Sequence, residues 1–311
     1  MKKSEIRRAY LLDKYVIITP LRAQRPRDVK EQTVIERTGA CVLCPEKVDV
    51  YGQEHKGYIK EEIKQDDKWQ VIAIENIFPA VSLDNEKAYG TQEVIIETRD
   101  HAKELAHLTN QEIEWVLRMY ARRTATLTNT KDIEYVLCFK NQGSKAGASI
   151  VHAHSQIFAT SILPPEINQE LSAAQSYKIK HGQCPYCDII AKEAKSERLI
   201  YEDKYVVAIA PYASEYHYEA WIFTKRHLDN ITLLNDKEFR ALANAYKLIL
   251  SKLSNLNLSF NAYLHQVVSN RDQHFYFKIQ PRDSVWAGIE LSSGIIINSV
   301  PPEKAAEYYR E

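Results

Sequence analysis

The chain carries no surplus of charge. Lys and Arg together number 41 and Asp and Glu 41 in 311 residues, so the formal net charge at pH 7 is zero. A neutral chain lacks the basic footprint that binds nucleic acid or an acidic membrane, which excludes both as expected partners. Local basic clusters can still take a small phosphate ligand. No run of about 18 apolar residues exists, which excludes a spanning helix. The N-terminus, Met1-Lys2-Lys3-Ser4-Glu5-Ile6-Arg7-Arg8, is positive. No long apolar stretch follows it, which argues against a secretory signal. Low-complexity tracts are absent. Cysteine is scarce and odd in number, at five residues. Four of these form Cys-x-x-Cys pairs and Cys138 stands alone. Without a signal, that pattern favours metal ligation in a reducing cytoplasm over disulfides.

What the chain does have is duplication. Hydrophobic residues make up 45% of the sequence, and the length suits two domains with ample buried core. Trp69–Ile74 and Gln92–Thr98 read as strands from their β-branched, alternating character, and the second ends at Arg99-Asp100-His101. A helix follows over about Thr109–Thr128, with Asn110 as the expected N-cap. The same order recurs in Lys204–Ile209, then Glu219–Thr224 ending at Lys225-Arg226-His227, then a helix over about Asp236–Asn255. Each half closes with a strand pair: Tyr135–Lys140 with His152–Ala159, and Asn261–Gln266 with Phe275–Gln280. We therefore expect an α+β fold of two tandem domains, 1–165 and 166–311, each an antiparallel sheet of about five strands under a long helix. Pro164 and Pro165 stop the preceding strand and open a linker with a short helix to about Ile179.

The metal sets are duplicated too. Cys41 and Cys44 precede His101 and His152; Cys184 and Cys187 precede His227 and His274. A short Cys-x-x-Cys turn converges two sulfurs on one ion, and two distant imidazoles complete a closed tetrahedral zinc shell. With no open position, such a metal is structural. A redox role for Cys-x-x-Cys would leave the matched histidines unexplained. The bland alternative for His101 or His227 is a surface histidine.

Only the first copy adds chemistry. Phe139 to Ala159 reads FKNQGSKAGASIVHAHSQIFA. Gly143 and Gly147 permit a tight loop whose backbone N–H groups can face a phosphate. Histidines two apart on a strand share a face, so His154 lies beside a metal-anchored His152. A fixed neutral imidazole beside amide and hydroxyl donors is a good nucleophile for phosphorus.

These residues resemble the active-site motif of the galactose-1-phosphate uridylyltransferase family, within the histidine-triad superfamily. They are also similar to the related ADP-glucose phosphorylases, which share Asn-Gln-Gly, Ala-Gly-Ala-Ser and His-x-His-Ser-Gln. The likeness extends to Arg22-Ala23-Gln24-Arg25-Pro26, Glu75-Asn76-Ile77-Phe78-Pro79-Ala80, Asp100-His101-Ala102-Lys103-Glu104-Leu105 and Gly288-Ile289-Glu290. The resemblance implies that His154 attacks the α-phosphorus of a nucleotide sugar and that Gln156 hydrogen-bonds the phosphoryl oxygens. It implies phosphate contacts for Asn141, Gly143 and Ser149, and charge compensation by Arg25 and Arg22. Asn76 falls in the base-and-ribose loop, and Glu290 would hold sugar hydroxyls. It further implies transfer of the nucleotide to a sugar 1-phosphate or to phosphate, one structural Zn²⁺ per domain, and a homodimer.

Departures from the pattern matter. Tyr276 and Lys278 stand where a second nucleophile and its glutamine would be, so the second half is expected to be silent. Ala153 replaces the proline usual in the uridylyltransferases. Leu291-Ser292-Ser293-Gly294 lacks the glutamine those enzymes use on the hexose and is closer to the phosphorylase pattern. The alternatives are therefore a phosphorylase, a hydrolase with water as acceptor, or a zinc-stabilised nucleotide-binding module. The intact His154 and Gln156 weigh against the last, since a pure binder needs no nucleophile.

Overall fold

The computed structural model describes residues 3–24, 41–268 and 273–311. In chain order the elements are β1 (Glu5–Arg8), β2 (Tyr15–Ile18), α1 (Pro45–Glu54), β3 (Ile59–Gln65), β4 (Lys68–Glu75), β5 (Gly90–Ile96), α2 (Asn110–Thr128), β6 (Tyr135–Gln142), β7 (His154–Thr160), α3 (Pro165–His181), α4 (Pro185–Glu193), β8 (Leu199–Glu202), β9 (Val206–Ile209), β10 (Ala220–Thr224), α5 (Asp236–Asn255), β11 (Phe260–His265), β12 (Tyr276–Pro281), α6 (Gly288–Ser293), β13 (Ile296–Asn298) and α7 (Pro302–Arg310).

Ten strands form one sheet in the order β3-β4-β5-β7-β6-β11-β12-β10-β9-β8, and every neighbouring pair is antiparallel. Read inward from either edge, the order is the same: three strands in sequence, then the last of that half, then the fourth. The expected pair of five-stranded α+β units is therefore present. The two halves share one continuous ladder, joined where β6 meets β11 with Asn141 opposite Asn261.

The long helices α2 and α5 pack together on one face of this sheet. Their apolar stripes explain why. Phe239, Leu242, Tyr246, Ile249, Leu250 and Leu253 of α5 recur at helical spacing and join Ile113, Leu117 and Tyr120 of α2 in the main core. Both helices start with the same reciprocal cap. Thr109 Oγ1 accepts from Glu112 N–H at 3.2 Å while Glu112 Oε2 accepts from Thr109 N–H at 2.7 Å. Asn235 and Glu238 repeat the arrangement at 3.1 and 2.9 Å. Thr109, not Asn110, thus caps α2. Its hydroxyl reaches the third residue of the helix, and the Asn110 amide donates instead to Asn244 Oδ1 at 2.6 Å.

The opposite face carries α1, α3 and α4 in two smaller cores. The linker helix is longer than expected: α3 runs 17 residues to His181, and Gly182 ends it at φ +78°. Buried Ile167, Glu170 and Ala174 tie it down. A small second sheet pairs β1 with β2, and β2 in parallel with β13. It packs on the second half through Val16, Ile18 and Ile296 against Ala213. Asn298 locks it there, donating to Ser214 O at 2.8 Å and Tyr216 O at 3.2 Å. Among the described residues no helix is long and apolar enough to cross a membrane.

Candidate active site and paired metal centres

Cys41, Cys44, His101 and His152 converge, as do Cys184, Cys187, His227 and His274, with the donor atoms of each set within 4.8 Å of one another. In both sets the first Cys lies just before a helix and the second on or beside its first turn, because Pro45 and Pro185 open α1 and α4. Cys44 Sγ lies 3.6 Å from His101 Nδ1 and 3.7 Å from His152 Nδ1, and Cys41 Sγ lies 3.7 Å from His152 Nδ1. Cys187 Sγ lies 3.6 Å from His227 Nδ1 and 3.7 Å from His274 Nδ1. A tetrahedral shell with arms of about 2.3 Å to sulfur and about 2.1 Å to nitrogen has S···N edges of about 3.6 Å, so the donor sets fit a metal ion. The imidazoles are also set in the right tautomer. His152 Nε2 faces Thr98 O at 2.8 Å and His274 Nε2 faces Thr224 O at 2.8 Å. A proton held there leaves each Nδ1 lone pair for the ion.

His154 opens β7, two residues after this anchor, and is 8% exposed. Its Nδ1 lies 2.8 Å from His152 O, so the Nδ1 proton is donated to that carbonyl and Nε2 keeps its lone pair. Burial holds the imidazole below its ordinary pKa, and the nearby Lys140 charge adds to the effect. Beneath the strand, the Lys140 ammonium donates to Glu97 Oε2 at 2.6 Å and to His154 O at 3.0 Å. The backbone carbonyl of His154 is thus pinned to a buried ion pair.

Gln156 lies on the same strand face as His154. Its Oε1 accepts from Gln92 Nε2 at 2.7 Å, and Gln92 Oε1 accepts from Ala80 N–H at 3.1 Å. Both acceptors are used in sequence, and among the described residues the Gln156 amide N–H groups have no hydrogen-bond acceptor. Asn76 begins the loop that supplies Ala80. Its Oδ1 accepts from Phe78 N–H at 2.9 Å, and its own N–H donates to Gln92 O at 3.1 Å.

The glycine loop is fastened from across the seam. Asn261 Nδ2 donates to Asn141 Oδ1 at 2.8 Å and to Ala146 O at 2.9 Å. Gly143 has φ +79° and ψ 163°, a region essentially reserved for glycine. A Cβ there would lie 2.3 Å from Ser259 Oγ. Ser149 is exposed between this loop and His152.

Other expected site residues are distributed differently. Arg22 follows β2 in a short 3-10 turn, Pro20–Gln24, and is exposed. Glu290 sits on α6 beside β13 and caps its own helix by accepting from Ala287 N–H at 2.9 Å. Both therefore group with the small sheet on the second half, and among the described residues no side-chain hydrogen bond joins either to His154, Gln156 or Asn141. Arg25 lies outside the described residues. In the second half, Tyr276 and Lys278 occupy the register positions of His154 and Gln156: Ile96 pairs His154 as Phe223 pairs Tyr276, and Val94 pairs Gln156 as Trp221 pairs Lys278.

Gln92, Asn261, Lys140 and Glu97 went unrecognised in the sequence. Each is a lone polar residue on or beside a strand, and the strand registers that join them to Gln156, Asn141 and His154 cannot be read from spacing.

The sequence model described as galactose-1-phosphate uridyl transferase, N-terminal domain, matches residues 1–164. Another, described as a domain of unknown function, matches residues 89–309. The ADP-glucose phosphorylase of Arabidopsis thaliana is 30% identical over 99% of this chain and 92% of its own length. The galactose-1-phosphate uridylyltransferase of Thermotoga maritima is 27% identical over 99% of this chain and 98% of its own. The crystal structure of the Arabidopsis ADP-glucose phosphorylase with bound ADP-glucose matches with a TM-score of 0.87 at 29% identity, covering 99% of each chain.

Proposed function

The chain belongs to the galactose-1-phosphate uridylyltransferase family, and on that premise we propose a nucleotidyltransferase that works by double displacement through a nucleotidyl-histidine. His154 Nε2 attacks the α-phosphorus of a nucleotide sugar. The Nε2–P bond forms, the P–O bond to the β-phosphate breaks, and sugar 1-phosphate leaves with the electron pair. A phosphate oxygen of an acceptor hexose 1-phosphate then attacks the same phosphorus, and the N–P electron pair returns to Nε2. The observation that carries this reading is the Nδ1 contact to His152 O at 2.8 Å. It fixes the ring, leaves Nε2 unprotonated, and favours the positive charge that grows on the ring as the N–P bond forms.

The remaining roles follow the site. Gln156, oriented by Gln92, donates to the phosphoryl oxygens. Asn141, Gly143 and Ser149 contact the phosphates from the glycine loop, and Asn76 serves the nucleoside. Zn²⁺ is the ion that best suits each closed Cys₂His₂ set, where it would cross-link the knuckle to the sheet and carry no step. Residues 1–165 and 166–311 are the two duplicated units. Five cysteines, none in a disulfide, support a cytoplasmic setting. Arg22 and Glu290 lie with the small sheet on the second half, apart from the His154 pocket of the same chain, which suits a homodimer in which they serve the partner's pocket.

The test is the half-reaction. Incubation with UDP-glucose or ADP-glucose labelled in the α-phosphate is expected to give acid-labile, base-stable label on the peptide containing His154, and none on His154→Ala. Absence of label with every nucleotide sugar tried rejects the proposal. Discharge by hexose 1-phosphate identifies the transferase. Discharge by inorganic phosphate alone would instead match the activity named for the Arabidopsis relative.

A further inference from the structure

The half that lacks the nucleophile has a cavity of its own, about 300 Å³ in volume. It lies where register makes the second half equivalent to the His154 pocket, with Tyr276 and Lys278 on its floor. Lys278 is 6% exposed. Its ammonium lies 5.0 Å from the centre of the Trp221 ring and 5.4 Å from that of Tyr276. Glu170 is its counter-ion, with Oε1 at 3.7 Å, an ion pair longer than a hydrogen bond. The other Glu170 oxygen is taken by Tyr186 at 2.8 Å, Tyr276 at 3.2 Å and His265 at 3.1 Å. Among the described residues Lys278 makes no hydrogen bond, although it lines an open cavity. An ion-paired ammonium that lines a cavity without a hydrogen bond has donors to offer an acceptor brought from outside. Trp286 Nε1 is a second buried donor in the wall without a partner among the described residues.

The rest of the lining narrows the chemistry. Four carboxylates, Glu166, Glu170, Glu215 and Glu219, face two ammonium groups, Lys14 and Lys278. Burial beside Glu215 raises the Glu219 pKa to about 7, but the remaining carboxylates still outnumber the ammonium groups, which disfavours phosphates and nucleotides, while Lys278 on the floor disfavours a cation. A neutral polar ligand is left. The walls add flat apolar faces, since the Tyr216 and Trp286 rings stack at 5.3 Å and 21°. Aromatic planes, two donors seeking acceptors and an excess of acceptors suit a ring with an apolar face and hydroxyl edges. The volume is at the lower end of small-molecule sites. We propose that the second half binds a neutral hexopyranose in this cavity, with a sugar hydroxyl accepting from Lys278 and the ring face on the Trp286 wall. This site is independent of the covalent chemistry at His154.

Ligand-observed saturation-transfer NMR on the full chain tests it, with D-glucose and D-galactose as neutral probes and D-glucose 1-phosphate as the anionic one. Saturable binding of a neutral hexose is expected in the wild type and undiminished in His154→Ala. Lys278→Met is expected to weaken it by more than about 10-fold, the factor that goes with losing a hydrogen bond to a charged group, and Trp286→Leu, which removes a neutral donor and the stacking face, by about 3- to 10-fold. Glucose 1-phosphate binding is expected to be indifferent to both changes. If Lys278→Met loses its melting transition, Trp286→Leu at the cavity wall decides. The proposal is overturned if neither neutral hexose binds saturably, if binding survives Trp286→Leu at wild-type affinity, or if it disappears in His154→Ala.

Discussion

Replacing Lys140 with methionine should unmask how much the fold depends on the ion pair behind His154. The Lys140 and Glu97 side chains are 1% and 0% exposed and meet at 2.6 Å. Without the ammonium, the Glu97 carboxylate keeps, among the described residues, only the Tyr120 hydroxyl, at 3.4 Å. Breaking one side of such a pair strands a buried charge and costs about 3–5 kcal/mol. At about 2–4 °C per kcal/mol for a large domain, the melting temperature should fall by about 6–20 °C. Glu97→Gln alone strands the ammonium and should cost a similar amount. The double variant Lys140→Met/Glu97→Gln removes both charges. It should recover all but about 1–2 kcal/mol, the residue being the lost bond to His154 O. Calorimetric or urea unfolding of the four proteins closes the cycle. Two results refute the reasoning: Lys140→Met within about 1 kcal/mol of wild type, or a double variant whose loss equals the sum of the singles.

Four further outcomes are expected. Gly143→Ala should lower stability by about 1–3 kcal/mol through backbone strain and slow nucleotidylation; adding Ser259→Gly should relieve the clash but leave the strain, and full rescue would show that φ is not the cause. Cys41→Ser should remove one of two bound zinc ions per chain by elemental analysis and lower thermal stability, while Cys184→Ser removes the other; two ions retained in either variant contradicts the assigned ligands. If Glu290 acts across a homodimer, mixing inactive His154→Ala and Glu290→Ala chains should restore roughly a quarter of wild-type activity, since half the dimers then hold one intact site; no recovery after subunit exchange argues that Glu290 acts within its own chain or not at all. Burial raises the Glu170 pKa, but the adjoining His265 and Lys278 outweigh it and hold the carboxylate well below its ordinary 4.5. Its contribution is therefore complete above that value and is lost as pH falls below it, so the stability gap between wild type and Glu170→Gln should shrink from about pH 5 to about pH 3, and a widening gap would refute the assignment.

How far the sequence spoke depended on whether the constraint was local. Cys41, Cys44, His101 and His152 were legible because metal chemistry demands those residue types, and their repetition downstream made coincidence a poor explanation. The α5 boundaries, Asp236–Asn255, match the expected span because this helix carries a strong apolar period. Strand β3 was missed because Ile59–Gln65, IKEEIKQ, has only isoleucines at its first and fifth positions among polar residues along an exposed edge. The small sheet was missed because it pairs Val16 with Ile296, and nothing local in two short apolar runs announces partners so far apart. The same limit hid Gln92 behind Gln156 and Asn261 behind Asn141. The resemblance implies substrate contacts for Arg22 and Glu290, and tertiary pairing sets both with the small sheet on the second half.

The seam between β6 and β11 binds the fates of the two copies together. A chain cut after the first copy would present β6 as a bare, sticky border, ready to recruit another molecule. It would also lose the amide of Asn261 that steadies the loop bearing Asn141 and Ala146. The second copy is thus no passenger in the fold. Shedding it should loosen the glycine loop of the first, so the two copies stand or fall as one unit.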